Sequence, residues 1–270
     1  MTEEIEIILH NALREDIGEG DISCKYFVNK KNVEAYVCCD ENNIVLSAVE
    51  IIGEVFKLID PELEIEVLKE NGDFLNKGDK ILKIKGNIQS ILTGENTTLS
   101  FVNRMSGIAT FIKNHVDKIK MLGLKTQILD TRNMTPGLRV LEKAAVRHGG
   151  GRNHRMGLYD MAYVKDCSNL LELALNIGNF RKDCKNMALE CEATSEQQVK
   201  DLLSITGVDI IFLNMPIDEI RESMLLRGDK DVLFEAKFNN LDDLAKTGVD
   251  IISVDTENVI PAKFILEIFA

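Results

Sequence analysis

The chain contains no run of about 18 apolar residues, so no membrane-spanning helix is expected. It also lacks a C-x-x-C pair. Its six cysteines are Cys24, Cys38, Cys39, Cys167, Cys184 and Cys191, and its four histidines are too scattered for a zinc-finger spacing. Reduced thiols and a cytoplasmic location are the expectation. The opening residues, Met1-Thr2-Glu3-Glu4, are acidic and offer no apolar signal-peptide core. Positive charge is scarce: 32 Lys and Arg face 44 Asp and Glu, for a net charge of −12. That balance disfavours nucleic acid or an anionic membrane surface as partner. A small anion stays open, because local basic clusters decide its binding.

With 270 residues and 45% hydrophobic content, the chain can bury one large core or two modest ones. Glu3 to Glu15 carries Ile5, Ile8, Leu9, Ala12 and Leu13 at helical spacing. Val33 to Val49 and Lys80 to Ile84 read as strands, with turns at Asn71-Gly72-Asp73 and Lys77-Gly78-Asp79. Thr97 to Met121 reads as a long helix. Beyond it, short apolar runs recur at 126–129, 161–164, 187–189, 209–213, 232–234 and 250–254, with helical patterns between several of them. Repeated strand–helix units predict a parallel sheet, and six of them favour a barrel over an open sheet.

Nearly every run ends in charge or amide: Asp130 and Arg132, Lys165 and Asp166, Glu190 and Glu192, Asn214, Glu235 and Lys237, and Asp255. The carboxyl ends of barrel strands build active sites. Salt-bridged polar caps are the competing explanation.

The densest stretch runs from Leu129-Asp130-Thr131-Arg132-Asn133-Met134-Thr135-Pro136-Gly137-Leu138-Arg139 to Gly149-Gly150-Gly151-Arg152-Asn153-His154-Arg155. Thr135 is placed to cap a helix with Pro136 at its first position. Lys143, Arg139, Arg147, His148, Arg152, His154 and Arg155 fall within one strand–loop–helix unit. Arginine forks bind carboxylate and phosphate bidentately, and three glycines suit a loop wrapped round an anion. A helix laced with ion pairs is the plainer alternative, since Glu142 and Asp160 lie nearby.

This string, continued by Met156-Gly157-Leu158-Tyr159-Asp160, resembles the signature of the quinolinate phosphoribosyltransferase family. Glu15-Asp16-Ile17-Gly18-Glu19-Gly20-Asp21, Ser106-Gly107-Ile108-Ala109-Thr110 and Gly248–Val254 resemble other motifs of that family, so the likeness covers nearly the whole chain. It implies an N-terminal open-faced α+β sandwich domain over 1–110 and a C-terminal α/β barrel of parallel strands over 111–270, with a last helix returning to the first domain. It implies transfer from phosphoribosyl pyrophosphate, with Mg²⁺, onto quinolinate, giving nicotinate mononucleotide, carbon dioxide and pyrophosphate in NAD biosynthesis. It implies a homodimer or larger homo-oligomer with sites at the interface. By similarity Arg132, His154, Arg155, Lys165 and Arg152 hold the pyridine carboxylates. Lys165 and Glu192 are the catalytic candidates, and Glu192 the candidate metal ligand.

The chain departs from the pattern at Asn96, Asn133, Cys167, Asn214, Lys237 and Asp255. Asn96 and Asn133 stand where the family has cations, and Asn214 where it has an aspartate. Glu235-Ala236-Lys237-Phe238-Asn239 replaces a glycine-rich phosphate loop, whose backbone N–H groups cradle phosphate only at close approach. Asp255 repels phosphate, while Lys237 either compensates or pairs with it. Cys167, two residues after Lys165, is either a thiol activated by a cation or a small filler. Two functional readings follow: the family's reaction, or a diverged paralogue that keeps a carboxylate pocket for a different reaction or a binding or regulatory role. A barrel without a ligand is a third, disfavoured because unpaired buried cations are costly.

Overall fold

The computed structural model describes residues 2–165, 167–238 and 240–269. Asp166, named above at a strand end, and Asn239, the last residue of the segment that replaces a phosphate loop, lie outside the described residues. The chain forms two compact units: Met1–Asn114 with Met134–Gly150 and Thr256–Ala270, and His115–Asn133 with Gly151–Asp255. No single cut near residue 110 separates them, because two later segments fall with the first unit.

The first unit opens with α1 (Glu3–Ile17) and α2 (Ile22–Phe27), the latter capped by Asp21, which accepts from the Cys24 N–H. Its main sheet is antiparallel, in the order β12 (Phe264–Phe269), β1 (Asn32–Cys39), β5 (Lys80–Asn87), β3 (Glu64–Val67). Val33, Ala35 and Val37 of β1 are buried, while Glu34 and Tyr36 are not, the period-two burial of a one-sided sheet. Helix α3 (Val49–Ile59) buries Ile52, Val55 and Phe56, and a two-stranded ladder joins β2 (Ile44–Val45) to β4 (Phe74–Leu75). The expected strand 33–49 is therefore divided. Asn43, at φ 62°, turns the chain between β1 and β2, and a helix begins at Val49.

Helix α4 (Ile88–Met121) starts nine residues before Thr97, since Ile88 and Ile91 extend its apolar stripe. Helix α5 (Arg139–His148) starts later than Pro136: Gly137 takes φ +81°, and Thr135 to Leu138 close a turn instead. The glycines that follow answer to packing. A Cβ on Gly149 would stand 2.4 Å from the Ala109 carbonyl oxygen, so only glycine permits this approach. An ion pair ties the unit together. Arg104 donates to Glu142 Oε1 at 3.1 and 2.9 Å, and to the carbonyls of Thr256 (2.9 Å) and Val259 (3.0 Å). The C-terminal segment is a strand where a helix was expected, because Phe264–Phe269 is an apolar run that completes the edge of β1.

The second unit is a curled parallel sheet, in the order β6 (Gln127–Asp130), β11 (Ile251–Val254), β10 (Leu233–Lys237), β9 (Ile210–Leu213), β8 (Ala188–Ala193), β7 (Met161–Val164). Helices α6 (Leu170–Asp183), α7 (Glu196–Ser204), α8 (Ile217–Leu226) and α9 (Leu241–Ala245) cross between the strands. Asn169, Ser195 and Asn240 cap α6, α7 and α9 by accepting backbone N–H groups. No ladder between β6 and β7 is present among the described residues, and the backbone of Arg152 bridges to Leu129 on that open side. The arrangement is thus an open barrel of six strands. Its base is apolar, where Leu129, Met161, Ile210 and Ile251 pack with Ala188. No helix among the described residues is long and apolar enough to cross a membrane.

Candidate active site

The two-residue period of the strands builds the site in tiers on this base. Moving toward the carboxyl ends, Tyr163, Glu190, Phe212, Glu235 and Ser253 face the cavity, followed by Lys165, Glu192, Asn214, Lys237 and Asp255. Thr131, Arg132, Asn133, His154 and Arg155 come from the segments beside β6 and complete the lining of a cavity of about 540 Å³.

Arg132, His154, Arg155 and Lys165, expected as carboxylate binders, are brought together here. The Arg155 guanidinium lies 5.3 Å from the centre of the Tyr163 ring and donates to the Met161 carbonyl at 3.2 Å. Burial and the neighbouring Arg132 push its pKa below the usual value, a sign that two guanidinium groups share a small space. Arg132 Nε is buried and has no hydrogen-bond partner. A bidentate carboxylate would satisfy such a group.

Asp130, fully buried at the end of β6, fixes the loop that carries these cations. It accepts from Asn153 Nδ2 and from the His154 N–H, both at 2.7 Å. Below the loop, His154 Nε2 stands 3.0 Å from Glu190 Oε2 and 3.6 Å from Glu235 Oε2. Burial pulls the His154 pKa down, but the hydrogen bond to Glu190 and the charges of Glu235, Glu190 and Asp130 outweigh it and leave it raised. Burial, then the charge of Glu190, lifts Glu235 to about 7. Among the described residues this is the one cluster of metal-ligating side chains, with all ligand atoms within 4.8 Å. His154 and Glu190 are close enough to share a proton when no ion lies between them.

The other polar groups of the lining are paired with one another. Glu192 accepts from Tyr163 Oη at 2.7 Å and from Asn214 Nδ2 at 2.8 Å. Asp255 accepts from Thr131 Oγ1 at 2.6 Å and Asn133 Nδ2 at 3.1 Å, and pairs with Lys237 at 2.7 Å. Lys237 therefore neutralises Asp255, the second of the two expectations for it.

Other candidates lie elsewhere. Arg152 is exposed and contributes backbone, donating to the Ile128 carbonyl and accepting from the Asp130 N–H; it is absent from the cavity lining. Asn96 belongs to the first unit and lines a separate recess there with Asp16 and Arg104. Lys143 is buried within the first unit, as is Glu142, so the basic concentration read at 139–155 is divided between the units. The reactive-thiol reading of Cys167 loses its footing. The residue is buried, its thiol points to the Val164 carbonyl at 3.7 Å, and it is a hydrogen-bond partner of the Cys191 thiol, whose pKa is raised by that bond and by burial. Tyr163 and Phe212 had no place in the sequence reading. Counting back by two from Lys165 and Asn214 was the signal available.

Residues 21–106 match the model of the quinolinate phosphoribosyl transferase N-terminal domain, and residues 108–260 that of its C-terminal domain. The chain is 35% identical over 223 residues to a probable nicotinate-nucleotide pyrophosphorylase (carboxylating) of Bacillus subtilis, covering 81% of this chain and 75% of that one. A protein of the same name from Synechocystis is 35% identical over 257 residues, covering 91% of this chain and 85% of that one. The solved nicotinate-nucleotide pyrophosphorylase of Francisella tularensis superposes with a TM-score of 0.91 at 30% identity, covering 99% of this chain and 96% of that one.

Proposed function

We propose, on the premise that the chain belongs to the quinolinate phosphoribosyltransferase family, that it converts quinolinate and phosphoribosyl pyrophosphate to nicotinate mononucleotide, carbon dioxide and pyrophosphate. The observation that carries this reading is the convergence of Arg132, Arg155, Lys165 and His154 on one cavity in a chain of net charge −12. A planar dicarboxylate matches that convergence. In this reading Arg132 and Arg155 clamp the carboxylates, and Lys165 holds the second one from the end of β7. The ring nitrogen then attacks the anomeric carbon of the donor, and pyrophosphate leaves. The positive charge gained by the ring nitrogen stabilises the carbanion left when carbon dioxide departs.

The donor lies against the wall of Glu192, Asn214, Thr131 and Asn133. Glu192, oriented by Tyr163 and Asn214, suits the ribose hydroxyls. Both of its oxygens already hold donors, and Asn214 adds no charge. Each oxygen keeps further acceptor capacity, so Glu192 would be the side chain to meet Mg²⁺ carried by the donor's pyrophosphate. A homodimer, as the family resemblance implies, completes the reading, and sedimentation at twice the monomer mass checks it. The test of function is release of pyrophosphate and carbon dioxide from quinolinate plus phosphoribosyl pyrophosphate. Turnover on the order of 1–10 s⁻¹ is expected, and absence of pyrophosphate release at saturating substrates refutes the proposal.

A further inference from the structure

Binding a dicarboxylate calls for cations, yet the base of this cavity holds two almost fully buried carboxylates, Glu190 and Glu235. Each keeps one buried oxygen without a hydrogen bond, Oε1 of Glu190 and Oε2 of Glu235. Placing two such groups beneath a dianion costs binding energy through both desolvation and repulsion. Both oxygens nearest the imidazole are aimed at one atom, His154 Nε2. Such an arrangement holds a proton on the imidazole while the floor stays less negative than two free carboxylates.

The proposed reaction, on which this inference rests, needs one proton that the substrates do not bring. When carbon dioxide leaves, the bond from ring carbon 2 to its carboxylate breaks and the electron pair stays on carbon 2. We infer that His154, held by Glu190 and Glu235, delivers the proton that takes the carboxylate's place on that carbon. A carbon–hydrogen bond forms, the imidazole becomes neutral, and the cluster recovers its proton from solvent between turnovers. The phenol and the guanidinium groups of the lining suit this less. Tyr163 donates to Glu192, and its pKa is raised by burial and that bond. Guanidinium groups do not release protons. Histidine is the side chain made for transfer near neutrality. Glu190 and Glu235 are positioning residues: they set the charge and orientation of His154 from β8 and β10, and Asp130 holds its backbone from β6.

The experiment is a rapid-quench first turnover of the full chain with quinolinate, phosphoribosyl pyrophosphate and Mg²⁺, reading pyrophosphate and carbon dioxide from the same sample. The wild type is expected to release them one to one. In Glu235→Gln the ratio of carbon dioxide to pyrophosphate should fall by roughly 100-fold, the lower range for loss of general acid catalysis, with quinolinate mononucleotide accumulating. The alkaline limb of the carbon dioxide step should move to lower pH, because the imidazolium has lost a neighbouring charge. Histidine titration by NMR should show the same downward shift for His154, without any need for turnover. Should Glu235→Gln fail to fold, Glu190→Gln is expected to uncouple the two products in the same way. A one-to-one ratio and an unmoved limb in both variants overturn the inference while leaving the reaction standing. A fall in the ratio of carbon dioxide to pyrophosphate confined to Lys165→Met overturns it in favour of the lysine. If the wild type releases no pyrophosphate, the reaction and the inference fall together.

Discussion

Replacing Asp255 by asparagine should tighten the hold on a phosphorylated donor. Asp255 is three-quarters buried in its side chain and pairs with Lys237, which is half exposed. Burial raises the Asp255 pKa, but the hydrogen bonds from Lys237 and Thr131 outweigh it, so the carboxyl lies below its usual range and is ionised at neutral pH. It therefore cancels the one lysine on this wall. A phosphate seated about 6 Å from that carboxylate meets a repulsion of roughly 2.8 kcal/mol at an effective dielectric of about 20. Screening at a half-exposed pair removes about half of this, leaving about 1.4 kcal/mol, or a tenfold lower Kd. Asparagine keeps the shape and can still accept from Thr131. Titration calorimetry with phosphoribosyl pyrophosphate and Mg²⁺, at about 0.15 M salt, compares Asp255→Asn with the wild type. An unchanged or weaker affinity would refute the charge argument, since it would mean that Asp255 holds the wall together or meets the donor's metal.

Four further outcomes are expected. Arg155→Met should weaken quinolinate binding by at least 30-fold, from a loss of about 2–5 kcal/mol at a desolvated charge contact; calorimetry with quinolinate alone reads it. Glu142→Leu should cost about 3–5 kcal/mol in urea unfolding, because it leaves Arg104 partly buried and without its carboxylate. Gly149→Ala should cost about 1–3 kcal/mol, because its methyl group would meet the Ala109 carbonyl. The pH dependence of stability carries a definite sign. Glu235, raised to about 7 in the folded state, holds a proton that the unfolded chain has already lost above its ordinary value of 4.5, so its contribution to stability declines between about 4.5 and 7. His154, also raised, contributes below 6.5 and loses that contribution as pH passes its folded pKa. Unfolding at pH 5 and pH 7.5 should show wild-type stability falling with pH, and Glu235→Gln should flatten the fall.

The six parallel strands were legible because each is a short apolar run with a charged end, and burial on both faces leaves little else to write there. The cationic half of the site was legible for the same reason: Arg132, Lys165, His154 and Arg155 stand at strand ends or in a motif of unusual density. What stayed hidden depends on partners distant in the chain. Phe264–Phe269 reads equally as helix or strand until β1 offers an unpaired edge. Glu190 and Glu235 read only as strand-end charges, of an active site or of polar caps, until the curl of the sheet turns them onto one imidazole. Gly149 looked like part of an anion loop, and only the nearness of the Ala109 carbonyl identifies it as a packing glycine. Arg152 belonged to the same motif as Arg155, yet backbone pairing with β6 sends its side chain outward.

The antiparallel pairing of β1 with β12 joins a strand near the start of the chain to one near its end. A ribosome making this protein therefore releases β1 long before its neighbour exists, and the waiting edge offers open N–H and C=O groups to any passing strand. The parallel sheet of the second unit lies wholly between them in sequence, so it can be completed first. The closing contact is then of high sequence separation and slow to find. Synthesis halted a few residues short would leave a chain with its cavity-forming strands complete and its first sheet still open to aggregation.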